Sequence, residues 1–163
     1  MNINYRHLEK EDNKYIAELI RTVFREFKID KQGTVFYDPT TDDLFDLFSI
    51  PGSEYWIAEV EGNIAGGCGI YPTDGLPEGC AELVKLYLSS SYRGMGIGWS
   101  LMQRCILAAK EMGYCQLYLE SLPELSKAIS LYEKSGFRML PEPLGNSGHF
   151  GCTIWMIKDL RSI

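Results

Sequence analysis

YRGMGIGWSLM, residues 92–102, brings three alternating glycines to the start of an apolar run with helical spacing. The residues before it, AELVKLYL (81–88), have the composition of a strand, and the run after it predicts a helix over about 97–112. A strand that passes through a glycine-rich loop into a helix directs free backbone N–H groups and the positive end of the helix dipole at one point. The stretch therefore predicts an anion-binding site at the helix start.

The residue types in this loop favour a phosphate, although other interpretations stay open. Glycine lets an anion reach the amides, and Arg93 adds a charged donor for phosphate oxygens. A tight connection with a solvent-facing arginine is the simpler alternative. The ATP-type phosphate loop is absent because no lysine follows the glycines. The dinucleotide pattern GxGxxG is closer, with Glu120 near the distance of a ribose-binding acid, but Trp99 occupies its third glycine position. Dinucleotide binding is therefore the second interpretation.

Length and composition restrict the class of protein. A chain of 163 residues, 45% of them hydrophobic, predicts one domain over residues 1–163. The net charge of −6 argues against nucleic acid as a partner. Five cysteines without a CxxC pair indicate neither a disulfide framework nor a zinc site, and fit a reducing, cytoplasmic location. No apolar run approaches the roughly 20 residues that span a bilayer, so no membrane association is expected.

The element pattern predicts a mixed α/β domain. Apolar residues at helical spacing predict a first helix capped by Asp12, and Thr40 or Thr41 is expected to begin a shorter second helix. Gly62-Asn63 between two β-prone runs predicts a hairpin turn. Residues 81–121 read as a right-handed β-α-β unit, which makes at least one pair of strands parallel.

Two motifs in this order resemble the GNAT acetyltransferase superfamily. RGMGIG (93–98) matches the signature [Q/R]xxGx[G/A], and AISLYEKSGF (128–137) is similar to the second motif of the family. The resemblance implies an α/β GNAT fold, with a mixed six- to seven-stranded sheet, about four helices and central parallel strands that splay apart. It also implies acetyl-CoA as the acetyl donor, a co-substrate.

The resemblance assigns residues to the donor. The pyrophosphate is expected at the glycine loop and the pantetheine arm along the preceding strand. Leu125 stands where the family often has an asparagine that contacts the pantetheine, so that contact is not expected here. The expected donor-binding residues are Leu86, Tyr87, Leu88, Arg93, Gly94, Met95, Gly96, Ile97, Gly98 and Trp99.

Acyl transfer to an amine needs a base, an oxyanion donor and an acid for the departing thiolate. The resemblance implies a main-chain N–H for the oxyanion, at Tyr87 or a neighbour, and Tyr132 of the second motif for the acid. From its helical spacing alone, Tyr132 is as well explained as a core tyrosine.

Glu82 is the first candidate for the base. Period-two alternation along 81–88 places it on one face with Val84, Leu86 and Leu88, where burial would raise its pKa towards neutrality. Glu82 could instead pair structurally with Lys85 or Arg104, or lie in water at the strand end. Glu120, on the adjoining strand, is the second candidate, and either could act through a water; a third option is an amine that arrives deprotonated.

The acceptor is less constrained than the donor. The acidic and aromatic segment FYDPTTDDLFDLF (36–48) and the late loop with His149 are expected beside it, although both also suit solvated surface. His149 and Cys152 lack further ligands at metal spacing, so no metal is predicted. The sequence thus predicts direct acetyl transfer to a primary amine of a small molecule, peptide or protein. A catalytically silent acetyl-CoA sensor remains the alternative, and exposed aromatics with the habit of the family suggest a homodimer.

Overall fold

The computed structural model of the protein describes residues 1–161, which form one mixed sheet of seven strands with four α-helices. The strands are β1 (Ile3–His7), β2 (Glu54–Val60), β3 (Asn63–Tyr71), β4 (Cys80–Leu88), β5 (Gln116–Ser121), β6 (Arg138–Met139) and β7 (Ile154–Asp159). The helices are α1 (Asn13–Glu26), α2 (Leu44–Leu47), α3 (Ile97–Glu111) and α4 (Ser126–Lys134). The sheet order is β1-β2-β3-β4-β5-β7-β6, and only β4 and β5 are parallel.

Each face of the sheet carries its own hydrophobic core. Alternation along β2 sends Tyr55 and Ile57 into the core that α1 covers, and Ala58 and Val60 into the core under α3 and α4. The apolar stripe of α1 predicted from the sequence is buried, and α3 begins and ends within a residue of its predicted bounds. The mixed sheet and the helix number predicted from the sequence are confirmed.

The two parallel strands diverge after a short pairing. Residues Cys80–Glu82 of β4 pair with Gln116–Tyr118 of β5, and the pairing of the two strands ends there. From Leu83 to Leu88, β4 therefore keeps its partner β3 on one side and faces a gap on the other. This gap opens into the cavity described below, and the predicted splay of the central strands is confirmed.

A β-bulge interrupts β4 in the middle of the gap. The register with β3 shifts between Gly67, which faces Tyr87, and Gly69, which faces Val84. Lys85, in the extra position, adopts a left-handed φ of 55°. The bulge reverses the alternation, so Leu86 and Leu88 pack towards α3. The prediction that these two leucines share the face of Glu82 is therefore wrong.

The bulge is supported from β2. The Tyr55 ring lies over Gly67 and Gly69, where an added Cβ would come within 2.4 Å and 2.6 Å of ring atoms. Its hydroxyl donates a 2.9 Å hydrogen bond to the Lys85 carbonyl. The two glycines thus make room for a buried phenol that holds the irregular backbone in place.

Two predicted element starts differ by a few residues. Helix α2 begins after Asp43, whose side chain accepts from the Asp46 N–H; Thr40 instead lies in a 3₁₀ turn, Pro39–Asp42, capped by Asp38. The β2–β3 turn is Glu61-Gly62 rather than Gly62-Asn63, because Asn63 already pairs with Val60.

Candidate active site

One cavity of about 570 Å³ runs along β4 between the two helical layers. It extends from Glu82, where β4 and β5 still pair, to Gly96 at the start of α3. Residues from α1, α4 and the late loop complete its walls. The expected site residues among its lining are Glu82, Leu86, Tyr87, Leu88, Arg93, Gly94, Gly96, Ile97, Gly98, Trp99, Glu120, Tyr132 and His149.

The glycine end of the cavity is an open helix start. Gly94 and Gly96 have φ values of 78° and 79°, and a Cβ on either would meet nothing within 4 Å. No side chain caps α3, whose first intrahelical acceptor is the Gly96 carbonyl. The first backbone N–H groups therefore face space that an anionic ligand can enter.

Two loop residues have contacts that the sequence did not predict. The Arg93 guanidinium forms two hydrogen bonds to the Glu26 carboxylate, two to the Leu88 carbonyl, and lies 5.1 Å from the Phe27 ring centroid. It ties the end of β4 to α1. Met95 packs against the α3 core and is not part of the cavity lining. Both therefore support the shape of the loop.

Lys127 is an additional cation at the cavity wall that the sequence analysis did not single out. It is an exposed residue in the first turn of α4, directly after Ser126. In the sequence, Lys127 could have been recognised by its position directly before the second motif. Lys127 thus adds a positive charge to the cavity wall, whereas the Arg93 guanidinium is engaged with the Glu26 carboxylate.

Tyr132 lies in the middle of the cavity wall and in the core at once. The residue is buried and its ring meets Phe137 edge-on, with 5.9 Å between centroids. Burial raises the pKa of Tyr132 well above its usual range. The phenol therefore stays protonated at neutral pH and can donate a hydrogen bond, while the same shift makes it a weaker proton donor.

Glu82 lies buried at the far end of the cavity, with only 4% of its surface exposed. Its carboxylate accepts a 2.6 Å hydrogen bond from the Thr73 hydroxyl. Burial, with repulsion from Glu120, raises its pKa from 4.5 to about 7, despite opposing effects of Thr73, His149 and Lys85. In the described residues, Glu82 pairs with neither Lys85 nor Arg104; Arg104 stacks on Tyr5 and Trp56.

The raised pKa of Glu82 predicts a stability change in Glu82→Gln. A buried carboxyl with a folded pKa of about 7 stabilises the fold fully below pH 4.5 and loses that contribution as the pH rises to 7. Over about 2.5 pKa units the loss amounts to about 3 kcal/mol. We measure the free energy of unfolding of both proteins with urea. Between pH 4 and pH 8, the difference between Glu82→Gln and wild type should shift by about this amount in favour of Glu82→Gln. A constant difference between the proteins would contradict the raised pKa.

A polar network surrounds Glu82. Glu120 accepts hydrogen bonds from Tyr118 at 2.7 Å and Ser147 at 2.5 Å, so each of its oxygens already has a partner. His149 Nε2 lies 2.8 Å from Asp38 Oδ2. Burial opposes ionisation of Asp38, but hydrogen bonds from His149 and Thr40 hold its pKa well below the usual range. The segment 36–48 thus contacts the cavity wall through the pairing of Asp38 with His149, which lines the cavity.

Other aspartates of this segment have structural partners. Asp42 forms an ion pair with Arg21, and Asp43 caps α2.

Cys152 lines the cavity, but burial, with the charges of Glu120 and Glu82, raises the pKa of its thiol to about 12. At neutral pH it is a thiol rather than a thiolate nucleophile.

Across residues 1–161, no helix has the length and apolar character needed to cross a membrane.

Comparison with known proteins places this cavity in a family. The model of the acetyltransferase (GNAT) family matches residues 15–137. The Escherichia coli K12 protein described as an uncharacterized N-acetyltransferase, YjgM, is 40% identical over 157 residues, 95% of this chain and 93% of the relative. An acetyltransferase of the GNAT family from Staphylococcus aureus Mu50 superposes with a TM-score of 0.88 at 21% identity, covering 98% of this chain and 100% of that one.

Two further structures carry the same fold with their ligands. YncA from Salmonella typhimurium, solved with acetyl-CoA, gives a TM-score of 0.76 at 18% identity over 100% of this chain and 96% of that one. PaiA N-acetyltransferase from Thermoplasma acidophilum, in complex with coenzyme A, gives 0.75 at 19% identity over 98% and 99%.

The chain belongs to the GNAT acetyltransferase family. It is an acyl-CoA-dependent N-acetyltransferase with acetyl-CoA as the acetyl donor. The resemblance, the fold class and the donor predicted from the sequence are confirmed, and the dinucleotide interpretation is set aside. The open helix start and the unpaired stretch of β4 fit a donor with a phosphate group and an extended arm.

Proposed function

We propose that this chain transfers the acetyl group of acetyl-CoA directly to a primary amine of a small molecule, peptide or protein, with Glu82 as the general base. The observation that carries this proposal is a buried carboxyl with a pKa of about 7 in the cavity that begins at the free α3 amides. A base with a pKa near the working pH removes a proton most effectively. Glu120, whose oxygens each accept a hydrogen bond, is the second candidate.

The proposed reaction is a single displacement. The amine nitrogen attacks the thioester carbonyl carbon and gives its proton to Glu82, directly or through a water. A main-chain N–H at Tyr87 or a neighbour on β4 stabilises the oxyanion. The carbon–sulfur bond then breaks, and the thiolate takes a proton from Tyr132 or from solvent. The protonated thiol of Cys152 gives no support to an acetylated-cysteine route.

Donor-binding roles follow from position in the cavity. We propose that the amides at Gly96, Ile97, Gly98 and Trp99 hold the pyrophosphate, that Lys127 supplies a positive charge beside it, and that the arm lies along Leu86, Tyr87 and Leu88. The contacts of Arg93 with Glu26 and Leu88 support a role in holding the loop rather than in contacting phosphate.

A panel of primary amines, assayed with acetyl-CoA by release of free thiol and by mass spectrometry of the products, tests the proposal. Amine-dependent thiol release with a matching N-acetyl product is expected for at least one class. Tight acetyl-CoA binding without any amine-dependent release would favour the silent sensor. A cytoplasmic location and a homodimer remain predictions, which cell fractionation and light scattering address.

Tyr132→Phe tests the acid. The change removes one hydroxyl and keeps the contact with Phe137, so acetyl-CoA affinity should be unchanged. We expect kcat to fall by about 100-fold if the phenol protonates the thiolate in the transition state. Single-turnover kinetics would confirm that chemistry limits the rate. An unchanged single-turnover rate would leave Tyr132 as a core residue.

A further inference from the structure

Lys85 is a buried lysine that the proposed mechanism does not use. It occupies the bulge of β4, where Tyr55 holds its carbonyl, and it lines the cavity three residues beyond Glu82. Only 8% of its surface is exposed. The bulge, supported by the packing of Tyr55 against two glycines, therefore places an amine inside the cavity rather than on the protein surface.

The amine of Lys85 has no close partner in the described part of the chain. Among residues 1–161 it takes part in no ion pair and no side-chain hydrogen bond. Asp38 and Glu82 attract it only at longer range, and their carboxylates are engaged by His149 and by Thr73. Burial lowers the pKa of Lys85, against the attraction of these two carboxylates.

Although most of the Lys85 side chain is buried, its amine keeps access to the cavity, since no fully buried side-chain nitrogen or oxygen in the described part of the chain lacks a hydrogen-bond partner. An anionic group of a ligand in the cavity would supply the missing partner. Such a group cannot be the pyrophosphate of the donor, which we place at the opposite end of the cavity by the α3 amides. It would belong to the molecule that enters beside Glu82, which is the acceptor.

We infer that the acceptor is an amino acid, whose carboxylate pairs with Lys85 while its amine faces Glu82. This inference rests on the proposed acetyl transfer and adds the class of acceptor to it. Glu82 and Lys85 are three residues apart on β4, about 10 Å along the backbone, and both line the cavity, so their long side chains can converge on the amine and the carboxylate of one small molecule. The Glu120 carboxylate, which lines the cavity with Glu82, favours the positive amine before it loses its proton.

The test compares each standard amino acid with its own α-carboxamide, which keeps the amine and the side chain and removes the negative charge. Free-thiol release gives kcat/KM for both members of a pair. We expect wild type to prefer the acid by about 10- to 100-fold, the effect of one charged hydrogen bond. Lys85→Met should bring the ratio close to one, and Lys85→Arg should keep part of the preference.

An amino acid and its carboxamide differ in the pKa of the amine as well as in charge. This difference is the same for every protein, so it cancels when the acid-to-carboxamide ratio of kcat/KM is compared between wild type and a variant. Lys110→Met, an exposed lysine in the last turn of α3, is the matched control and should keep the wild-type ratio. Circular dichroism and acetyl-CoA calorimetry check that each variant folds and binds donor. If Lys85→Met does not fold, Lys85→Gln and the wild-type ratio decide.

The outcomes separate this inference from the proposed function. Equal rates for acids and carboxamides in wild type would overturn the amino acid inference and leave amine acetylation standing. An equal loss on both members of a pair in a folded Lys85→Met would also overturn it, because Lys85 would then act on the reaction and not on the carboxylate. Absence of thiol release with every amine would overturn the proposed function, and the inference with it.

Discussion

Glu82→Gln should lower kcat/KM for a good amine acceptor by about 1000-fold and abolish the acidic limb of its pH profile. In wild type, kcat/KM should lose a further factor of ten per pH unit below about pH 7, in addition to the loss from protonation of the amine itself, because a protonated Glu82 cannot accept the proton of the amine. Glutamine keeps the size of the side chain and an oxygen for the Thr73 hydroxyl. An acceptor amine with a pKa of about 10 separates its own titration from that of Glu82.

Glu120→Gln is the matched control on the neighbouring strand. It removes a second cavity carboxylate while keeping an oxygen for Tyr118 or Ser147. Since loss of the Glu120 charge removes a repulsion, the acidic limb should move to lower pH and remain present. A folded Glu82→Gln enzyme that retains the limb would transfer the role of base to Glu120, or to an amine that arrives deprotonated.

Gly96→Val should weaken acetyl-CoA binding by at least about 100-fold. The valine side chain would stand in the open space before the α3 amides and deny the phosphates two or more charge-assisted hydrogen bonds, each contributing about 1.5–3 kcal/mol. Isothermal calorimetry with acetyl-CoA measures the loss directly, without an acceptor.

Gly62→Val separates this effect from backbone strain. Gly62, in the β2–β3 turn, has a φ of 81° against 79° for Gly96, and its Cβ would also meet nothing within 4 Å. Valine is disfavoured at such a φ in both places, so both variants should lose comparable stability. Only Gly96→Val should lose affinity. Equal acetyl-CoA affinity in the two folded variants would refute the phosphate site.

The sequence predicted features whose causes are local. Alternating glycines before an apolar run are sufficient to indicate the start of α3, and the neighbouring apolar spacing fixes its length. Glu82 could be recognised as unusual because a carboxylate among alternating apolar strand residues tends to be buried. Its burial and raised pKa match that expectation, whereas its role as base remains a prediction.

The features that were missed depend on partners distant in the chain. The bulge at Lys85 is held by Tyr55, 30 residues earlier, and by the space above Gly67 and Gly69. Periodicity within β4 contains no sign of the bulge, so both Leu86 and Leu88 were predicted on the wrong face of the sheet. Likewise, the ion pair of Arg93 with Glu26 joins residues 67 apart. Nothing in the neighbouring sequence indicates that a carboxylate engages the Arg93 guanidinium.

Because β4 and β5 diverge, the second half of β4 has an unpaired edge although the strand lies in the middle of the sheet. Exposed edges elsewhere invite pairing with other chains, but here helical layers enclose the edge on both sides, so only a narrow, extended molecule can reach it. A donor arm with amide groups can hydrogen-bond to such an edge as a short additional strand would. We therefore expect bound acetyl-CoA to fill the interruption between β4 and β5.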